Sequence, residues 1–154
     1  MKSLLRCLSL LMLLFTLCGA VHAAEGTKSL PDKPAKDVDR TTHIAVEHEG
    51  TDSLGSRLST RLKEQFNASS LFTLNEKDVP KLRLLVSTAP EFTTRPGVGS
   101  AYAVVWVFSQ SESTLRHYLA RELGVFTAEE LEGLVARLVE RTDGIAVKYG
   151  YLFP

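Results

Sequence analysis

The chain has 154 residues, with 18 basic and 18 acidic side chains, 44% hydrophobic residues and two cysteines. This length suits one domain that can bury a substantial core without disulfides or a structural metal. The even charge balance, with no concentrated basic patch, argues against a nucleic-acid partner.

The first 23 residues are typical of a secretory signal peptide. Lys2 and Arg6 precede an apolar run from about residue 8 to residue 17, and small residues end the segment at Ala23. The run is shorter than the roughly 20 residues of a transmembrane helix. We therefore predict a cleaved signal peptide (1–23), a periplasmic or secreted location, and no transmembrane span in the mature chain.

The segment after the signal differs in composition from everything that follows. Residues 24–40 read AEGTKSLPDKPAKDVDR, with two prolines, alternating charges and almost no large apolar side chains. Such a segment cannot bury enough apolar surface to offset the entropy lost on ordering. We therefore predict a flexible tether over 24–40 and a single folded domain over 41–154.

The first half of the domain is predicted to be strand, helix, strand. THIAVEH (42–48) is short and β-branched. Its predicted inward side consists of Ile44, Val46 and His48. Large apolar residues then recur at every fourth position, which predicts a helix capped by a polar residue among 51–53. The helical stripe consists of Leu54, Leu58, Leu62 and Phe66. LFTLNE (71–76) returns to strand character.

The second half is predicted to be three strands and a helix. KLRLLVSTA (81–89) alternates, GSAYAVVWVFSQ (99–110) is apolar at nearly every position, and LRHYLARELGVF (115–126) fits either a helix or a strand. As a strand, the last segment has one predicted face that consists of Leu115, His117, Leu119, Leu123 and Val125. A capping box over 127–130 favours the strand, because it starts a new helix directly afterwards. The inward stripe of that helix consists of Leu131, Leu134, Val135, Leu138, Thr142 and Ile145. The aromatic tail (149–154) is predicted to pack back on the domain.

These elements predict an α+β domain. About five strands form a mostly antiparallel sheet with two helices on one face, in the order βαββββα.

The candidate binding residues come from the apolar strand at 101–108. Its odd positions are small, whereas its even positions include Tyr102, Trp106 and Phe108. If the small side meets the helices, the rings lie on the open face of the sheet, beside Arg83 and Tyr118, as a platform for a peptide, a protein or a glycan. The alternative is that the rings fill the core, which is the commoner position for large apolar rings, and that the tail or a second subunit covers the small side.

No catalytic residue, cofactor or metal site is predicted. Ser53 lies on a strand-to-helix turn, but its surroundings do not match G-x-S-x-G or the Gly-Asp-Ser-Leu motif, so helix capping is favoured. His43 and His48 lie on opposite faces of a strand and cannot share a metal. A hydrolase that uses Ser53 with one of these histidines is the alternative function, as is a secreted inhibitor of a foreign enzyme.

The span from His43 to about Val86 resembles small α/β modules of bacterial envelope proteins. These are the N-terminal domain of the Tol-Pal protein TolB, the outer-membrane activators of penicillin-binding proteins, and the curli-secretion family. The similarity lies in IAVEHEG, in D-x-x-G-x-x-L-x-x-x-L from Asp52 to Leu62, and in the strands LFTL and LRLLVS. In this motif Gly55 lets helix and strand approach closely. The resemblance implies a non-enzymatic binding or adaptor module that contacts an envelope protein or peptide; a homo-oligomer is compatible with it.

Overall fold

The structure is a computed structural model that describes residues 41–153; the predicted signal peptide and tether lie outside the described residues, as does Pro154. The strands are β1 (Thr42–Glu49), β2 (Phe72–Leu74), β3 (Lys81–Pro90), β4 (Ser100–Ser109) and β5 (His117–Phe126). The helices are α1 (Ser53–Ala68), between β1 and β2, and α2 (Leu131–Lys148), after β5. The predicted α+β class and the element order βαββββα are confirmed.

The five strands form one mixed sheet in the order β2-β1-β3-β4-β5. β1 is parallel to both β2 and β3, whereas β3, β4 and β5 are antiparallel neighbours. The prediction of a mostly antiparallel sheet is therefore wrong for its first half. The reason is that α1 carries the chain back along the sheet before β2 begins. Leu74 at the end of β2 and Leu82 near the start of β3 both pair with Ile44, on either side of β1. Because β2 ends at the level where β3 begins, a short link is enough to join these two strands.

Both helices pack on the same face of the sheet, which we call the covered face. The predicted stripe of α1 and the predicted stripe of α2 are both buried there. Tyr102, Trp106 and Phe108 of β4 point to this covered face and are between 0% and 6% exposed. The condition under which the rings would lie on the open face is not met, and the favoured alternative, that the rings belong to the core, is confirmed. The small side of β4 therefore faces away from the helices.

The ambiguous segment before α2 is the strand β5, as favoured by the capping box. Glu130 Oε2 accepts a hydrogen bond from Thr127 N at 2.9 Å, and α2 begins at the next residue. The pairing of β4 with β5 shifts between Trp106 and Val107, which is a β-bulge. Because of this shift, His117 and Leu123 lie on opposite faces, and the predicted common face for them is wrong.

The aromatic tail returns to the domain. The ring of Phe153 packs edge-on against the ring of Phe108, with centroids 5.4 Å apart. Of the helices within residues 41–153, none is both long and apolar enough to cross a membrane.

Candidate functional site

The sheet face opposite the helices is the open face of the domain. Because side chains alternate along each strand, the odd positions of β1, β3 and β4 point to this face, and the pairing register places part of β5 beside them. Its members include Glu47, Arg83, Leu85, Ala101, Ala103, Val105, Val107, Tyr118, Arg121, Leu123 and Val125. No helix of the described chain packs on this side.

The edge strand β5 carries the most exposed apolar side chains of the open face. Tyr118 is 61% exposed, Leu123 is 67% exposed and Val125 is 53% exposed. Leu123 and Val125 pair directly with Ala103 and Ala101. Large apolar groups of β5 therefore stand beside a low, smooth strip of β4. We call Tyr118, Leu123 and Val125 the β5 patch.

A charged cluster lies on the open face beside the apolar strip. Arg83 forms ion pairs with Glu47 and, at 3.2 Å, with Glu112, and Arg116 reaches the second oxygen of Glu47 at 3.2 Å. The Arg83 side chain is only 7% exposed. Its Nε has no hydrogen-bond partner among the described residues. The sheet thus holds a buried guanidinium group at the border of an exposed apolar surface.

The same cluster keeps Glu47 ionised. Partial burial raises the pKa of Glu47, but the hydrogen bond from Arg83 and the charges of Arg116 and Arg83 outweigh burial and hold this pKa below its ordinary value. The ion pairs in turn raise the pKa of Arg83 against the effect of burial. The cluster is therefore fixed in its charged form at neutral pH.

Three of the five predicted binding residues are engaged inside the domain. Trp106 Nε1 donates a hydrogen bond to Thr142 Oγ1 at 2.8 Å, and the Tyr102 hydroxyl donates one to Glu122 Oε1 at 3.0 Å. Phe108 contacts the tail. Only Arg83 and Tyr118 of the predicted set lie on the open face, and their binding role stays a prediction.

Glu122 joins the end of the sheet to α2. It accepts hydrogen bonds from Tyr102, from Arg137 at 3.2 Å and from Arg141 at 2.6 Å. Burial raises the pKa of Glu122, but the hydrogen bonds from Tyr102, Arg141 and Arg137 outweigh burial and lower it below the ordinary 4.5.

A lowered pKa in the folded state makes stability depend on pH. The contribution of Glu122 is complete above its unfolded pKa near 4.5 and is lost as the pH falls through the lower folded pKa. We expect Glu122→Gln to lower the urea midpoint of unfolding at pH 7 and to lower it much less at pH 3. Glu129→Gln, in the exposed turn before α2, is the control and should change neither midpoint. Equal losses for Glu122→Gln at both pH values would contradict this role.

The turn at the carboxyl end of β1 holds a second polar cluster. Thr88 Oγ1 donates to Asp52 Oδ1 at 2.6 Å, and His48 Nε2 lies 2.9 Å from the same Thr88 oxygen. Because the Thr88 proton is used on Asp52, His48 must donate through Nε2. Asp52 also caps α1 by accepting from Gly55 N at 2.7 Å, as expected for a polar residue at 51–53.

The geometry of this cluster bears on Ser53, the serine of the hydrolase alternative. Within the described residues, no hydrogen bond joins Ser53 to His43 or His48, and the His48 ring is directed to Thr88 instead. The two histidines lie on opposite faces of β1. His43 Nδ1 lies 3.4 Å from the Asn75 side chain on the open side, whereas His48 contacts Thr88. No specific contact favours the hydrolase alternative. In the part of the chain from 41 to 153, no group of three or more His, Cys, Asp or Glu side chains is placed to hold a metal ion.

Sequence reasoning missed Leu123 and Val125 as surface residues. The stretch ARELGVF (120–126) carries a sequence indication of this exposure, because charged residues directly precede Leu123. The sequence does not show the β-bulge between β4 and β5, so strict alternation places Leu123 and Val125 on the same face as His117.

The sequence matches no known family profile and no curated protein. Two solved structures show a partial likeness in fold. One is the hypothetical protein CT253 from Chlamydia trachomatis, with 10% identity, a TM-score of 0.35 and coverage of 55% of this chain and 69% of that chain. The other is the rare lipoprotein B from Shewanella oneidensis, with 15% identity, a TM-score of 0.32 and coverage of 71% of this chain and 95% of that chain. The families named from the sequence motifs stay a prediction.

Proposed function

We propose that this protein is an exported, non-enzymatic binding or adaptor module of the bacterial cell envelope, and that it contacts another protein through the open face of its sheet. The observation that carries this proposal is the β5 patch. Three large apolar side chains of one edge strand are each more than half exposed on a single face. Arg121 separates Tyr118 from Leu123 and Val125 on this face. Exposed apolar side chains grouped on one face are typical of protein interaction sites.

The surroundings of the patch support a protein partner. The strip of Ala101, Ala103 and Val105 lets another backbone approach closely, and within residues 41–153 no strand pairs with the outer edge of β5. Aromatic side chains are frequent anchors of such contacts, and the exposed ring of Tyr118 lies on this face, beside the charged cluster that holds Arg83. A glycan is the second ligand class that an exposed tyrosine beside charged groups accommodates.

Site-specific photocrosslinking in cells tests the proposal. A photoreactive amino acid at Tyr118 or at Leu123 should give a product with a second protein, because both positions are on the proposed contact face. The same amino acid at Lys63, an exposed position of α1 on the helix side, is the control and should give no such product.

A substitution in the patch sharpens this test. With the crosslinker at Tyr118, Val125→Ser should reduce the product about fivefold, since an exposed apolar contact is lost without disturbing the core. Equal products from Tyr118 and Lys63, or no effect of Val125→Ser, would refute contact through the open face. If the sole product has twice the mass of the chain, the open face forms a homodimer and does not contact a different protein.

A further inference from the structure

A groove on the other side of the molecule combines apolar walls with acidic side chains. It lies between the end of α1, the start of β2 and the outer side of α2, and has a volume of about 510 Å³. Its apolar walls are formed by Leu71, Phe72, Val135 and Val139. A smaller cleft continues from it past Leu71 to Val147. We call the groove and cleft together the acidic groove.

Only part of the apolar lining is open to solvent, because the groove lies beside the core. Leu71 is 45% exposed and Val147 is 48% exposed, while Phe72 and Val135 form a buried floor. Leu71 and Asp143 line both the groove and the cleft, and Val147 lines the cleft. An occupant therefore meets apolar and acidic groups in the same site.

The charge in the groove has one sign. Three carboxylates line it, and no lysine or arginine does. Glu132 forms an ion pair with Arg61 at 2.9 Å. Within residues 41–153, Glu140 and Asp143 form no ion pair. Two carboxylates therefore stand beside apolar surface without a described counter-charge, which favours a cationic occupant.

The free edge of β2 favours an extended protein segment as the occupant. β2 pairs with β1 on one side, and no strand of the described chain pairs with its other side. Leu71 and Phe72, at the start of this edge strand, line the groove. A partner segment can therefore bond to the backbone of the edge while its side chains enter the groove, as in strand addition.

We propose that the acidic groove binds an extended segment of another protein whose groove-facing side chains, at every second position, include both basic and aliphatic residues. The basic side chains pair with Glu140 and Asp143, and the aliphatic side chains contact Leu71 and Val147. This proposal goes beyond contact through the open face, because the groove lies on the helix side of the sheet.

Binding of a synthetic peptide tests the groove directly. The probe is a ten-residue peptide with lysine and leucine in turn at its odd positions and serine at its even positions, so that both residue types share one face of the extended chain. Its matched control carries glutamate in place of lysine. We expect the lysine peptide to shift the backbone NMR signals of Leu71, Ala136 and Val147, with an affinity that falls as salt rises. The glutamate peptide should shift none of them.

Two double variants that remove the same charge distinguish specific binding in the groove from nonspecific electrostatic attraction. Glu140→Gln with Asp143→Asn should weaken binding of the lysine peptide about fivefold or more. Glu76→Gln with Glu129→Gln removes the same charge from exposed positions elsewhere and should weaken binding less than twofold. If both pairs weaken binding equally, or if the shifted signals map to the open face, the proposal is overturned.

The apolar half of the site has its own control. Leu71→Ser should weaken the peptide about threefold, whereas Leu115→Ser, at a more exposed leucine outside the groove, should have no effect. If Leu71→Ser and the wild type bind the peptide with equal affinity, the contact is purely electrostatic, and recognition of an apolar segment is overturned. Crosslinking at Tyr118 does not depend on these variants, so failure of the groove and failure of the open-face contact are distinguishable.

Discussion

Replacement of Trp106 by alanine should lower the free energy of unfolding by about 3–5 kcal/mol, the range measured for large aromatic side chains in protein cores. Trp106 is 0% exposed and lies under α2. Its Nε1 donates to Thr142, whose hydroxyl donates in turn to Leu138 O at 2.6 Å. The Arg141 guanidinium lies over the ring, 5.1 Å from its centroid. Alanine removes the packing, the hydrogen bond and this contact together.

Urea denaturation followed by far-UV circular dichroism measures this loss, because Trp106 is the only tryptophan and its fluorescence disappears in the variant. Trp106→Phe keeps most of the ring volume but removes the donor to Thr142, so it should cost about 1–2 kcal/mol. Tyr118→Ala, at an exposed ring on the open face, should change stability by about 0.5 kcal/mol or less. A Trp106→Ala variant as stable as Tyr118→Ala would show that the ring is not packed in the core.

Replacement of Gly55 by alanine should destabilise the domain by about 2–3 kcal/mol, as expected for an added methyl group that the structure cannot accommodate. A Cβ atom at this position would lie 1.9 Å from Thr88 Oγ1 and 2.5 Å from Thr88 Cβ. It would also lie 2.8 Å from Asp52 Oδ1. The first turn of α1 must therefore move away from β3, which breaks the bond between Asp52 and Thr88.

Gly144→Ala is the matched control for this prediction. Gly144 lies on the exposed side of α2, and a Cβ atom there would meet nothing within 4 Å. The change should raise stability by about 0.5–1 kcal/mol, because alanine loses less backbone entropy than glycine in a helix. The opposite signs of the two glycine variants in thermal or urea unfolding are the expected result. A neutral Gly55→Ala would show that helix and strand are farther apart than described.

Part of the candidate site could be read from local patterns. The approach of α1 to β3 at Gly55 was expected from the motif that begins at Asp52, and the structure confirms it. The opposite faces of His43 and His48 followed from the two-residue period of a strand. The faces of the two histidines depend only on neighbouring residues of one strand. The contact of Gly55 with Thr88 joins positions 33 apart and was expected only from the resemblance to known modules.

The outer surfaces could not be read in this way. Glu47 and Glu112 meet Arg83 only because β1, β3 and the loop after β4 come together in the fold. The acidic groove likewise combines Leu71 with Asp143, which lie 72 positions apart and are brought together by the packing of α2 beside β2. Such contacts depend on strand order and helix placement, which local periodicity does not contain.

By itself, the sequence determined the order of strands and helices, the buried stripes of both helices and a polar cap among residues 51–53 at the start of α1. These follow from side-chain spacing and from hydrogen bonds between near neighbours. Only the tertiary structure decided which side of β4 meets the helices, that β1 runs parallel to β3, and that a bulge turns Leu123 outward. The physical reason is that a strand with apolar residues on both sides can bury either one. The choice is made when the large rings of Tyr102 and Trp106 fill the space beneath α2, which leaves the small side and the β5 patch exposed.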